Sequence, residues 1–120
     1  MKNQLTDLVV GMLEQEKVPV VICNLEHTVI FMNSFAKTHY SVDITRKSIK
    51  NCHNPHSQIM IDKVIEWFKK SPDNNRVFTL RDGQTDIYMV AIRDNNGALI
   101  GYTEKHENRT PDTSALYDMP

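Results

Sequence analysis

Between Ile49 and Ser57 the sequence reads Ile-Lys-Asn-Cys-His-Asn-Pro-His-Ser, which puts a thiol and two imidazoles, Cys52, His53 and His56, within five positions. Thiolate and imidazole are ligands for zinc, haem iron or copper. Such close spacing is not that of a structural zinc site, and no neighbouring cysteine pair completes four ligands. Two cysteines in the whole chain, Cys23 and Cys52, are also too few to hold an iron–sulfur cluster on thiolates alone. Haem needs only one strong axial donor, so His53 or His56 at the mouth of an apolar pocket would suffice, with His53 the favoured metal ligand. A different chemistry starts from Cys52: a thiol near a helix N-terminus, beside an imidazole, could serve a small cysteine-dependent redox enzyme. Against it, adjacent residues rarely orient as nucleophile and base, and no acidic partner is identifiable. A plainer role is open to the same residues, and it takes precedence over haem ligation. His53 would tie the loop backbone through a ring nitrogen, and Cys52 would be a small buried hydrophobe.

The elements that position this segment are legible around it. Asn54-Pro55 reads as a helix start, because the asparagine oxygen can accept from first-turn amides and proline at the first helical position loses no bond. Ile61, Val64, Ile65 and Phe68 then form a buried stripe, widened by Met60 and Trp67. Lys69-Lys70 place positive charge at the helix C-terminus before Ser71-Pro72-Asp73 stops it. His56 falls in the first turn and is expected to be exposed.

Upstream, Leu5, Leu8, Val9, Met12 and Leu13 recur at helical spacing over Lys2 to Gln15, and Pro19 ends that helix. Such an amphipathic helix either covers a sheet face of its own chain or pairs with a second copy. Val20 to Cys23 and Thr28 to Met32 are β-branched runs joined by Asn24 to His27, which reads as a hairpin. Asn33-Ser34 caps a short helix over Phe35 to Tyr40, and Ser41 to Lys50 is irregular. Downstream, Val77 to Leu80, Ile87 to Ile92 and Ala98 to Tyr102 form a three-stranded meander whose turns carry Asp82-Gly83 and Asn96-Gly97, residues suited to positive φ. Tyr88, Val90 and Ile92 share one side of the middle strand, and Ile87, Met89 and Ala91 share the other. Arg81 and Arg93 flank hairpins and are expected in solvent, as are His27 and His39. His106 would reach the rim of the sheet. The tail from Asn108 is polar and expected to be flexible, with Leu116, Tyr117 and Met119 either a docking peptide or a plain terminus.

Composition limits the partners. At 120 residues the chain fits one domain with one core, and its formal charge of -1 gives no electrostatic reason to expect nucleic acid. No apolar run approaches the roughly 20 residues needed to span a bilayer, and the start lacks the apolar core of a signal peptide. A cytoplasmic location with reduced cysteines is expected.

The element order suggests an α+β fold, one five-stranded antiparallel sheet with helices gathered on one face. At this point the chain resembles the PAS sensor family over about residues 18–106. The resemblance rests on Val20 to Asn33, on Ile49 to His53 leading into the long helix, and on Ala91 to Gly101. The string Asn51-Cys52-His53-Asn54-Pro55 with Ser57 is similar to a PAS subgroup found as small free-standing proteins and beside hemerythrin-like domains. Arg46-Lys47-Ser48 departs from the pattern, since many PAS domains carry glycine there. The resemblance implies a domain over 18–106, a flanking helix over 1–17 that passes the signal, and a tail over 107–120. It also implies a non-catalytic module that senses a ligand or dimerises, with a pocket between sheet and long helix for haem, flavin, a small metabolite or nothing. Within that pocket the candidate cofactor-binding residues are Cys52, His53, His56, Ile61, Ile65, Tyr88 and Val90. A homodimer and a signalling partner protein are the implied associations. Haem-binding relatives carry their histidine within the long helix, where this chain has Met60 or Ile61. Light-sensing relatives carry an Asn-Cys-Arg-Phe-Leu-like string, of which only Asn51-Cys52 matches, so no flavin photoadduct is expected.

Overall fold

The computed structural model describes residues 3–120, so Lys2 of the expected first helix lies outside the described residues. Helix α1 (Gln4–Glu14) is followed by strands β1 (Val20–Asn24) and β2 (Val29–Met32), helix α2 (Ser34–Tyr40), a 3-10 turn (Ile49–Cys52) and helix α3 (Pro55–Lys70). Strands β3 (Arg76–Asp82), β4 (Thr85–Arg93) and β5 (Leu99–Asn108) complete the chain. The sheet is antiparallel throughout, in the order β2-β1-β5-β4-β3, so the last strand is central and pairs with the first. This is the expected α+β architecture of five strands. β5 runs six residues beyond Tyr102, because polar Thr103 to Asn108 still ladder with Val90 to Thr85 of β4.

Local chemistry sets the boundaries. Asn54 Oδ1 accepts from the Ser57 amide at 2.8 Å, and Pro55 occupies the first turn of α3. Asn24 Oδ1 accepts from the amides of Glu26 and Thr28, closing the β1–β2 turn with His27 at a φ of 66°. Gly83 and Gly97 supply the positive φ that the two later hairpins need. Gly101 has another reason to be glycine. It faces Asn24 across the β1–β5 ladder, and a Cβ there would collide with the Cys23 carbonyl oxygen.

Alternation then divides the sheet. Val21, Cys23, Met32, Met89 and Tyr102 point inward and meet Ile61, Val64, Ile65 and Phe68 of α3 in one core. Burial of these apolar chains, at about 25 cal/mol per Å², is the main force holding the helices to that face. Arg93 is not solvated as expected. Its guanidinium donates to the carbonyls of Phe68, Ser71, Asn74 and Gly97 and to Asn75 Oδ1, so it fastens the C-terminal end of α3 to the end of β4. Carbonyls left over at a helix end, together with the negative pole of its dipole, are what a guanidinium fork satisfies.

Helix α1 does not cover its own sheet. None of its residues is buried, and Leu5, Leu8 and Met12 are each more than 60% exposed. Only its C-terminal end is held. Asn33, wholly buried, donates from Nδ2 to the carbonyls of Leu13 and Val18, while its Oδ1 accepts from the amides of Val20 and Ala36. Glu14 in turn accepts from the backbone amide and hydroxyl of Ser34. One amide side chain therefore caps α2, begins β1 and anchors α1.

Candidate functional site

The inner face of the sheet and the segment from α2 to the 3-10 turn do not close on each other. Between them lies a cavity of about 390 Å³, within the size range of small-molecule sites. Its walls are apolar where Val21, Met32, Val42, Ile44, Ile49, Leu80 and Ile87 meet it, and polar at His39, Tyr40, Cys52, His53, Glu104 and His106. A second opening of about 400 Å³, between α3 and β3, shares His53, Leu80 and Glu104 with the first.

Each polar group is placed by its element. Alternation along β5 carries Tyr102, Glu104 and His106 to the inner face, opposite Ala91, Met89 and Ile87 of β4. Tyr40, in the last turn of α2, sets its hydroxyl 3.4 Å from Glu104 Oε2 and 3.2 Å from His106 Nε2. His53 has Nδ1 2.9 Å from the Ile49 carbonyl oxygen, so this nitrogen carries the proton and Nε2 is the basic atom in the neutral ring. Gln58 donates to the carbonyls of Lys50 and His53, locking the 3-10 turn onto the start of α3. Burial raises the Glu104 carboxyl above its ordinary range, opposed by the charge of His53, the Tyr40 bond and the charge of His39.

A separate polar chain runs beside the core. His27 Nδ1 lies 2.8 Å from the Tyr102 hydroxyl and its Nε2 lies 3.3 Å from Asp62, which also receives Lys50 Nζ at 2.7 Å. His27 is thus half-buried and partnered, not a surface histidine. Burial is the largest cause holding its imidazole below the ordinary value, with Lys50 adding to it. Cys23, under Tyr102, is a buried thiol pushed up to about 11 by desolvation.

Among the expected site residues, Cys52 and His53 line the first cavity, and His53, His56 and Ile61 line the second. Cys52 is exposed, not the buried hydrophobe of the plainer reading, because the 3-10 turn leaves it on the rim. His53 does make the backbone tie. Ile65 belongs to the packed core and lines neither cavity. Tyr88 and Val90 line neither of these two cavities. They lie on the outer face, where Tyr88 pairs with Phe78 and carries the Arg76 guanidinium over its ring at 3.8 Å. Burial of Ile87 and Met89 sets that choice. Sequence reasoning missed Glu104, Tyr40, His39 and the depth of His106, which is 5% exposed. Continuing the period-two pattern of β5 past Tyr102 would have found Glu104 and His106. Among the described residues no three His, Cys, Asp or Glu side chains converge as metal ligands. No helix among the described residues is long and apolar enough to cross a membrane.

No family model matches the sequence, and no curated protein matches it. Solved structures do. A PAS domain from Colwellia psychrerythraea superposes with a TM-score of 0.66 at 14% identity, covering 88% of this chain and 97% of that one. The PAS domain of BvgS from Bordetella pertussis gives 0.62 at 14%, covering 91% and 89%. The histidine kinase ThkA, solved in complex with the response regulator protein TrrA, gives 0.58 at 15%, covering 89% of this chain and 32% of that one. Strand order, helix placement and these superpositions agree: the chain has the PAS fold.

Proposed function

We propose that this chain is a sensory signalling module that holds a small molecule in the cavity beneath α2 and the 3-10 turn and answers through α1. The observation that carries the reading is the continuity between the two. Met32 stands on the cavity wall, and the next residue, Asn33, holds the end of α1 through the Leu13 carbonyl. A ligand that displaces Met32 more in one arrangement than in another biases the position of α1, and only such unequal binding can move the equilibrium. The exposed Leu5, Leu8 and Met12 suit a second copy of the chain, giving a homodimer whose geometry reports the ligand, or a signalling partner protein. The reading is non-catalytic. Haem on His53 and redox chemistry on Cys52 draw no support from the structural relatives.

Sedimentation of the purified protein tests the dimer. Dimers are expected at micromolar concentration, and Leu8→Glu should raise the dissociation constant by about two orders of magnitude, the cost of burying a charge in an apolar seam. Monomers at high micromolar concentration would remove the dimer. Native mass spectrometry with an absorption spectrum, on protein purified without refolding, reads the occupant and tests for haem in the same sample.

A further inference from the structure

The described residues around the first cavity include one carboxylate, Glu104, and neither lysine nor arginine. Glu104 sits in mid-strand on β5, flanked by Val21 on β1 and Met89 on β4, both apolar. Among the described residues it takes part in no salt bridge, and its side-chain bond to Tyr40 is long at 3.4 Å. A carboxylate at such a position costs stability unless a cation or several donors meet it. For packing alone, an apolar residue would serve better there.

Resting on the sensory reading above, we infer that the cavity selects a small organic cation, an amine or protonated nitrogen heterocycle on an apolar body, with Glu104 as its counter-ion. Val42, Ile44, Leu80 and Ile87 would enclose the body. The other titratable groups lining the cavity with Glu104 are His39 and Tyr40 from α2, Cys52 and His53 at the end of the 3-10 turn, and His106 two residues along β5. Burial shifts the carboxyl toward its protonated form, so binding of a cation is coupled to its ionisation and strengthens as pH rises.

The test uses three probes of one shape, benzylamine, benzyl alcohol and benzoate, titrated into the intact chain while amide resonances of the cavity residues are followed. At about pH 8 the amine should bind on the order of tenfold tighter than the alcohol, the worth of one charge-assisted hydrogen bond, and benzoate should bind most weakly. Glu104→Gln should erase the amine's advantage. In the unaltered protein, the amine-to-alcohol affinity ratio should fall as pH is lowered from about 8 until the carboxyl, raised by burial, takes up its proton and ceases to be a counter-ion. This second measurement stands even if the variant does not fold. Equal affinities for amine and alcohol, an amine advantage that survives Glu104→Gln, or a ratio flat in pH overturns the inference while leaving the cavity a ligand site. If none of the three shifts the cavity resonances, the sensory reading falls and this inference falls with it.

Discussion

Replacing Asn33 with alanine should cost about 3 kcal/mol. Loss of the α2 cap accounts for about 1 kcal/mol of that. The buried Val20 amide, left without its acceptor, adds about 1 kcal/mol, and the carbonyls of Leu13 and Val18 together add about 1 more. Against a total domain stability of roughly 5–15 kcal/mol this is a large share, and it corresponds to a fall in Tm of about 10 °C for a chain of this size. Urea denaturation followed by Trp67 fluorescence, with hydrogen exchange across residues 4–14, would read both parts of the effect. The comparison that isolates the link to α1 is Asn33→Asp. It keeps an oxygen for the amides of Val20 and Ala36 but turns a charged acceptor toward two carbonyls. Exchange in α1 should rise in both variants, and more in aspartate. A loss under about 1 kcal/mol for alanine, or α1 protection unchanged in aspartate, would show that α1 is held by something other than this amide.

Arg93→Lys should destabilise by about 2 kcal/mol in urea, since an ammonium cannot satisfy carbonyls spread over the end of α3 and two turns; a loss within error of zero would mean the fork is ornamental. His27 is held below its ordinary 6.5, so its contribution is complete above that value and is lost as pH falls through the folded value. Thermal melts should therefore show stability falling below about pH 6.5, and His27→Gln should flatten that slope; an identical slope in the variant would contradict the assignment. A thiol reagent should modify Cys52 in the native protein and Cys23 only on unfolding, since one is exposed and the other is buried with its thiol raised. Equal rates for the two would contradict the burial of Cys23.

Local signals in the sequence were strong where a side chain completes its own backbone. Asn54-Pro55, Asn33-Ser34 and the Gly83 and Gly97 turns could be placed without coordinates because their partners lie within four residues. Sheet sidedness was not legible in that way. Tyr88 and Val90 look as suited to a pocket as Ile87 and Met89, and only packing against α3 separates them. Arg93 reads as a surface hairpin residue until α3, over twenty residues earlier, is seen to end beside it. Glu104 and His106 were hidden for a related reason. Polar residues past Tyr102 suggest that the strand has ended, whereas its ladder with β4 continues and carries them inward.

The notch at Gly101 bears on how the chain assembles. β1 and β5 are adjacent in the sheet although nearly eighty residues separate Asn24 from Gly101, so their pairing must await synthesis of everything between them and is slow by its topology. When β5 arrives it can slide along β1, and many registers would satisfy the backbone bonds equally well. Only one of them places the residue without a Cβ against the Cys23 carbonyl; a slip of one position in either direction brings Ile100 or Tyr102 against it. The missing side chain thus acts as a key for strand alignment, and filling it should show first as lower refolding yield and trapped, misregistered sheets.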